Sequence, residues 1–254
     1  MRQLPWLEPG DALPDPASAW GPADPVPGLL AAGGSLDVDT LMQAYSHCVF
    51  PWFSEDQPIL WWSPDPRMVL KTADFKLHRS LRKTLLHFAR TPGCEVRIDH
   101  DFAAVIEACS RSPRVGQSGT WIVPDMVGAY TNLHLAGHAH SVETWIDGEL
   151  AGGLYCVALG RAVFGESMFT RRPDASKIAL AALVSLCQRS GVQMIDCQQN
   201  TAHLASLGAH EMARKNFVAH VALARQQEGP RWQFDPVYWS ELLSPRDFLP
   251  DVTT

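Results

Sequence analysis

The stretch from Ala151 to Gln199 constrains the fold more than any other part of the chain. It reads A-G-G-L-Y-C-V-A-L-G-R-A-V-F-G-E-S-M-F-T-R-R-P-D-A-S-K-I-A-L and, after a further apolar run, M-I-D-C-Q-Q. The pattern predicts a buried strand, a polar corner at Gly165-Glu166-Ser167-Met168-Phe169, and a helix from Lys177 to Arg189. Asp174-Ala175-Ser176 caps that helix and Gly191 closes it. A second strand then ends on Asp196-Cys197-Gln198. Acidic and amide side chains at the ends of apolar strands cost free energy unless they are paired or used, so chemistry is sought first at Glu166, Asp196 and Gln198. On one strand Asp196 and Gln198, two residues apart, face the same side.

Around this stretch the pattern is not a regular strand–helix alternation. Ser141–Trp145 and Glu149–Ala158 read as strands joined through Ile146-Asp147-Gly148, and Asp-Gly between β runs signals a hairpin. Arg161–Phe164 continues the sheet, and Met68–Leu70, Glu95–Ile98 and Val192–Ile195 add strands. Helices are expected at Asp37–Cys48, Phe75–Ala89, Asp101–Ser110, from Pro124 to about Leu135 with Gly137 beyond its end, Thr201–Leu207 and Glu211–Gln227. Residues 1–35, rich in Pro and Gly, read as irregular backbone pinned by Trp6 and Trp20. Ser110–Gly119 reads as a loop, and the tail beyond Gly229 as partly ordered and then frayed. The fold class is mixed α/β (α+β): a mostly antiparallel sheet flanked by helices. Two domains are expected, a small Trp- and Pro-rich one over residues 1–66 and a larger one over residues 67–254.

Charge is unevenly spread. Residues 1–66 carry one Arg against nine Asp and Glu, whereas residues 67–114 carry ten Lys and Arg against five. The net charge of −6 argues against a generic nucleic-acid binder; the basic block is either a polyanion contact or a solvated surface. No window approaches 18 consecutive apolar residues, and Met1–Gly10 lacks the apolar core of a secretory signal. The six cysteines never form C-x-x-C. The expectation is a cytoplasmic protein with reduced thiols and no membrane partner.

Several motifs fail on inspection. Gly165-Glu166-Ser167-Met168-Phe169 resembles a nucleophile elbow, but Phe169 stands where close helix packing needs glycine. Neither a P-loop nor a G-x-G-x-x-G is present. His134, His138 and His140 lack a fourth zinc ligand at a suitable spacing and read as capping or packing residues. Cys156 and Cys197 sit in apolar strands and read as buried, inert thiols. The aromatic runs F-P-W-F (50–53) and I-L-W-W (59–62) either pack a small domain or line a groove.

Nine runs occur in order: F-P-W-F (50–53), W-W-S-P-D-P-R (61–67), T-W-I (120–122), A-Y-x-x-L-H-x-x-G-x-A-H-S-V-E-x-W (129–145), G-G-L-Y (152–155), F-G-E-S-M-F (164–169), D-A-S-K-I-A-L (174–180), I-D-C-Q (195–198) and S-L-G-A (206–209). Together they resemble the bacterial leucyl/phenylalanyl-tRNA–protein transferases across roughly residues 25 to 220. Cys156, where that family usually has glycine, and Met212-Ala213, in place of Ile-Pro, are small departures that bear on packing.

The resemblance implies a reaction: Leu, Phe or Met passes from charged tRNA to the α-amine of a protein whose N-terminus is Arg or Lys, creating a degradation signal. It implies a small N-terminal domain followed by a domain similar to the GNAT acetyltransferases. No glycine-rich pyrophosphate loop is found, so coenzyme A is not expected. An aminoacyl ester is already activated, so no cofactor, ATP or metal is expected either. A monomer is expected. Asp196 and Gln198 are implied as the catalytic relay, with a backbone cap as the alternative for Asp196. Glu166 is implied at the aminoacyl-adenosine end, with an ion pair to Arg171 or Lys177 as its alternative. Met168, Val163, Phe164, Leu154 and Ile195 are candidates for the Leu/Phe pocket, and Trp52, Trp121 and Ser167 are weaker site candidates. Lys76, Arg79, Arg82, Lys83 and Arg90 become candidates for phosphate contacts to the acceptor stem. Competing readings are an acyltransferase with another donor and a non-catalytic tRNA- or protein-binding module.

Overall fold

A computed structural model describes residues 3–112, 122–244 and Asp247. In chain order the elements are β1 (Trp6–Leu7), β2 (Leu29–Gly33), α1 (Val38–Ser46), β3 (Phe50–Pro51), β4 (Leu60–Trp62), β5 (Arg67–Lys71), α2 (Arg79–Arg90), β6 (Cys94–Ile98), α3 (Phe102–Arg111), α4 (Pro124–Leu135), β7 (Ala139–Ile146), β8 (Glu149–Leu159), β9 (Ala162–Thr170), α5 (Ala175–Arg189), β10 (Met194–Gln198), α6 (Ala202–Ser206), β11 (His210–Met212) and α7 (Arg214–Ala224). A four-stranded sheet has the order β1-β2-β4-β3, and a seven-stranded sheet the order β11-β5-β10-β9-β8-β7-β6. The architecture is mixed α/β. Among the described residues no helix is long and apolar enough to cross a membrane.

Within the seven-stranded sheet every neighbouring pair is antiparallel except β9 and β10. A parallel pair requires a crossover connection, which α5 supplies. The β7–β8 hairpin turns on Asp147 (φ 55°) and Gly148 (φ 79°), the two left-handed residues such a turn needs. The start of α5 lies directly on β8, where a Cβ on Gly152 would stand 2.6 Å from the Ala175 Cβ. That close approach explains the first glycine of G-G-L-Y; a Cβ on the second, Gly153, would stand 3.0 Å from the Val142 carbonyl oxygen on the other side of the strand.

Apolar residues cover both faces of the large sheet. On one face α1, α3, α4, α7 and the small sheet close a cluster that includes Leu41, Tyr45, Trp61, Val105, Tyr130, Tyr155 and Phe164. On the other, α2 and α5 pack Leu81, Leu85, Ile178 and Leu183 against Leu70, Leu154, Val163 and Ile195. The run S-V-E-x-W also has a structural reason. Glu143 is fully buried and accepts from Ser141 Oγ (2.7 Å), Trp145 Nε1 (2.7 Å) and the Asp101 N–H (2.8 Å). Ser141 and Trp145 flank it at two-residue spacing on the same strand face.

Several expectations are corrected. Residues 165–169 are not a corner but the middle of β9, which runs to Thr170. Residues 1–35 are not wholly irregular: Leu29–Gly33 is a fully buried strand. Residues 75–78 are not helical, with Phe75 and His78 extended, so the helix expected from Phe75 begins at Arg79. His210–Met212 is an edge strand, so the helix expected from Glu211 begins at Arg214. Asp174 starts α5 through a left-handed backbone (φ 62°) rather than a side-chain cap, and its carboxylate pairs with Lys177 at 2.7 Å. The ordered part of the tail packs on the sheet, with Trp239 and Leu243 buried in the α5-side cluster. His134 and His140 do pack, stacking on Phe102 and Trp232 respectively.

Candidate active site

The parallel ladder between β9 and β10 registers at Ile195–Val163 and Asp196–Phe164. Just past it each strand carries one extra residue. Cys156 pairs with Gly165 and Tyr155 with Ser167, which leaves Glu166 as a bulge in β9. Val69 pairs with Asp196 and Met68 with Gln198, which leaves Cys197 as a bulge in β10. Bulges bend a strand and re-aim its side chains. Here two of them face each other, and a cavity of about 330 Å³ opens between the strands.

The cavity has an apolar and a polar side. Leu154, Met168, Leu180, Leu183, Ile195 and Leu204 supply the first, with Phe50 and Trp52 contributing aromatic surface; Glu166, Ser167, Asp196, Gln198 and Thr201 supply the second. Val163 and Phe164 do not line it. They belong to the paired part of β9, where Val163 is buried on the α5 side and Phe164 against Tyr45 on the other. Trp121 lies outside the described residues.

Glu166, Gln198 and Asp196 of the polar side belong to one connected network. Glu166 Oε1 accepts from Tyr45 Oη (2.7 Å) and Gln198 Nε2 (2.8 Å), and Oε2 lies 3.4 Å from Tyr130 Oη. The two tyrosine hydroxyls also hydrogen bond to each other. Arg171 and Lys177 are engaged elsewhere, with the Leu150 carbonyl and Asp174. Burial pushes the Glu166 carboxyl up to about 8, against the Tyr45 and Gln198 hydrogen bonds that pull it down. Burial, and next to it the Glu166 charge, holds the Tyr45 and Tyr130 phenols well above their ordinary range.

Asp196 is 1% exposed, and Arg67 grips it from β5: Nε donates to Oδ1 at 2.8 Å and Nη2 to Oδ2 at 2.6 Å. The Gln198 N–H also donates to Asp196 Oδ1, at 2.9 Å. The simple two-residue alternation expected of Asp196 and Gln198 is therefore broken: Gln198 adopts a left-handed backbone (φ 60°) and reaches Glu166 instead. Cys197, expected to be buried, is half-buried and lines the cavity, and desolvation pushes its thiol up to about 12.

Inspection of the sequence assigned no role to Arg67, Tyr45 or Tyr130. Arg67 ends the run W-W-S-P-D-P-R and Tyr130 lies in A-Y-x-x-L-H. The available signal was a cation opening the apolar strand M-V-L and a phenol on the apolar face of each helix.

The five candidate tRNA contacts divide. Arg79, Arg82, Lys83 and Arg90 lie on α2, whereas Lys76 precedes it. Lys76, Arg79 and Lys83 are exposed. Arg82 pairs with Asp247 Oδ2 at 2.9 Å, and Arg90 donates to the Asp247 carbonyl at 2.7 Å. Thr84 reaches Asp174 (3.4 Å), which sets α2 beside the start of α5, the helix that supplies Leu180 and Leu183 to the cavity.

The family model described as leucyl/phenylalanyl-tRNA protein transferase matches residues 69–222, and the model of that family's N-terminal domain matches residues 34–65. The chain belongs to this family. A leucyl/phenylalanyl-tRNA–protein transferase of Polaromonas sp. (strain JS666) is 63% identical over 243 residues, covering 96% of this chain and 95% of the relative. One from Albidiferax ferrireducens is 62% identical over 242 residues, covering 95% of each. One from Burkholderia vietnamiensis is 55% identical over 242 residues, again covering 95% of each. Membership makes the chain an aminoacyltransferase. The two model matches together cover nearly the same span as the sequence motifs that resemble the family.

Proposed function

We propose that the cavity between β9 and β10 receives the aminoacyl end of leucyl- or phenylalanyl-tRNA and joins that amino acid to a protein N-terminus. The observation that carries this reading is the pairing, in one cavity, of an apolar side with a fixed amide and carboxyl. Its volume lies near the lower end of ordinary ligand pockets, about 300 Å³. Leu154, Met168, Ile195, Leu180 and Leu183 would take the amino-acid side chain. An unbranched Met adapts to Leu, Phe and Met alike. The polar side would take the ester and the incoming amine.

In the reaction the acceptor α-amine attacks the ester carbonyl carbon. The C–N bond forms, the bond to the ribose oxygen breaks, and the proton lost by the amine ends on that oxygen. A free α-amine has a pKa of about 7.7–8.0, so its protonation and placement both matter. Gln198 Nε2 is engaged by Glu166, which leaves the Gln198 carbonyl oxygen to accept a hydrogen bond from the amine. Asp196 orients Gln198. Ser167 and the Glu166 carboxyl border the aminoacyl-adenosine end, with Trp52 at the aromatic side and Trp121 a further candidate. The reaction balances without ATP, a metal or coenzyme A.

The proposal extends to finer features. Acceptors carry N-terminal Arg or Lys, and the product is a signal for degradation in the cytoplasm. The protein works as a monomer. Residues 1–66 form a small domain before a GNAT-like catalytic domain over residues 67–254. Lys76, Arg79, Arg82, Lys83 and Arg90 hold acceptor-stem phosphates, which positions the tRNA without reading its sequence. The test is incubation with radiolabelled Leu-tRNA and a peptide bearing N-terminal Arg. Label is expected in the peptide and is lost when the Arg is replaced by Ala. No label in the Arg peptide would overturn the proposal.

A further inference from the structure

The geometry points to Arg67 as a positioning residue for transfer, acting through Asp196 on the amide of Gln198; this rests on the function proposed above. Arg67 is 1% exposed and lies between the rings of Phe50 (4.7 Å) and Phe217 (4.9 Å). Its third donor group, Nη1, reaches the Cys48 carbonyl at 3.2 Å. Burial opposes the guanidinium charge, and the attraction of Asp196 overcomes it, so Arg67 stays a cation. The guanidinium fork meets both Asp196 oxygens in the bidentate arrangement that only arginine can supply.

Asp196 is thereby committed. Oδ2 takes one arginine N–H, and Oδ1 takes another together with the Gln198 backbone N–H at 2.9 Å. It cannot serve as a free base for the amine without releasing that pair. What it does is close a turn over Cys197 and hold Gln198 left-handed at φ 60°, a conformation that costs a non-glycine residue free energy. From that backbone the Gln198 amide reaches Glu166 at 2.8 Å with its nitrogen inward, so its oxygen is turned to the substrate. The order of action is Arg67, then Asp196, then the Gln198 backbone, then the orientation of the amide.

Glu143 shows what a purely structural buried carboxylate looks like in this fold. It is saturated by two neutral side chains and one backbone N–H, and it is absent from the cavity lining. The Arg67–Asp196 pair differs because its last link, Gln198, lines the cavity.

The test is a double-mutant cycle on single-turnover transfer from Leu-tRNA to an Arg-bearing peptide, with Arg67→Lys, Gln198→Ala and the double variant. Lysine keeps the charge but lacks the fork. Arg67→Lys is expected to lower kcat on the order of 10²-fold, as a misplaced group does, with the KM for Leu-tRNA unchanged. In the Gln198→Ala background the same substitution is expected to have little further effect, because the group it positions is gone. Losses that multiply, or a rise in KM at unchanged kcat, would overturn the inference. If Arg67→Lys does not fold, Asp196→Asn carries the same cycle with the same expected non-additivity. Absence of transfer by the wild-type protein would overturn this inference and the proposed function together; transfer with multiplying losses would overturn this inference alone.

Discussion

Six polar side chains converge at the gap between β9 and β10, and five cations lie on or beside α2. Arg67, Asp196, Gln198, Glu166, Tyr45 and Tyr130 are joined by side-chain and backbone hydrogen bonds, most of them from 2.6 to 2.9 Å. Lys76, Arg79 and Lys83 stand exposed, and Arg82 and Arg90 meet Asp247. In the first region the dielectric is low, every unmade bond is costly, and geometry is fixed to within a rotamer. In the second, water screens the charges and each interaction is weak and replaceable. Precision therefore resides in the gap, which under the proposed function orients the reacting groups, while the helix face under that proposal gathers the tRNA. Substitutions should separate the two.

The largest expected effect is on the gap. Asp196→Ala leaves Arg67 buried and unpaired, which costs about 3–5 kcal/mol of stability. Thermal unfolding should fall by roughly 2–4 °C for each kcal/mol of that cost. An unchanged Tm would mean that water or another group already compensates Arg67, and the contrast with the surface cations would weaken.

Next comes a pH effect. Burial keeps the Glu166 carboxyl protonated up to about 8 in the folded protein, against an ordinary value of 4.5. The folded state therefore binds more protons than the unfolded chain between those values. The stabilisation is fully present below the lower value and is lost as pH rises through the upper one. Glu166→Gln keeps a neutral side chain of the same size and removes that loss. Its Tm should decline less than the wild type's between pH ~5 and pH ~9. Equal declines would show that Glu166 is ionised in the folded state.

Smaller effects belong to α2. Arg79→Glu with Lys83→Glu should weaken Leu-tRNA binding on the order of tenfold at low salt. It should also flatten the salt dependence by about 0.7–0.9 for each phosphate left without its cation. Arg82→Glu with Arg90→Glu should weaken binding less, because both side chains already meet Asp247. Equal weakening by the two pairs would mean that the tail releases them when tRNA binds.

Legibility from sequence follows the range of the interactions. The β7–β8 hairpin, α3, α4 and α5 were readable because turn residues and apolar periodicity act within a few positions. β11 was not: a three-residue edge strand running into α7 carries no period of its own. Gly165 and Glu166 interrupt an apolar run and so read as a corner, yet a bulge absorbs them inside β9. At the site, Glu166, Asp196 and Gln198 were found as polar groups at strand ends or interruptions. Their partners were not found, because Arg67 lies 129 residues from Asp196 and Tyr45 lies 121 from Glu166. Only the folded chain brings them together. The rupture of strand alternation at Cys197 was equally invisible, since a bulge leaves no mark in an apolar pattern.

The most direct measurement is the single-turnover rate of transfer at saturating Leu-tRNA, compared between Gln198→Ala and Arg79→Glu with Lys83→Glu. If chemistry resides at the β9–β10 gap and α2 only gathers tRNA, Gln198→Ala lowers that rate on the order of 10²-fold while the α2 variant matches the wild type once saturated. A wild-type rate in Gln198→Ala, or a lowered saturated rate in the α2 variant, would contradict that division of labour.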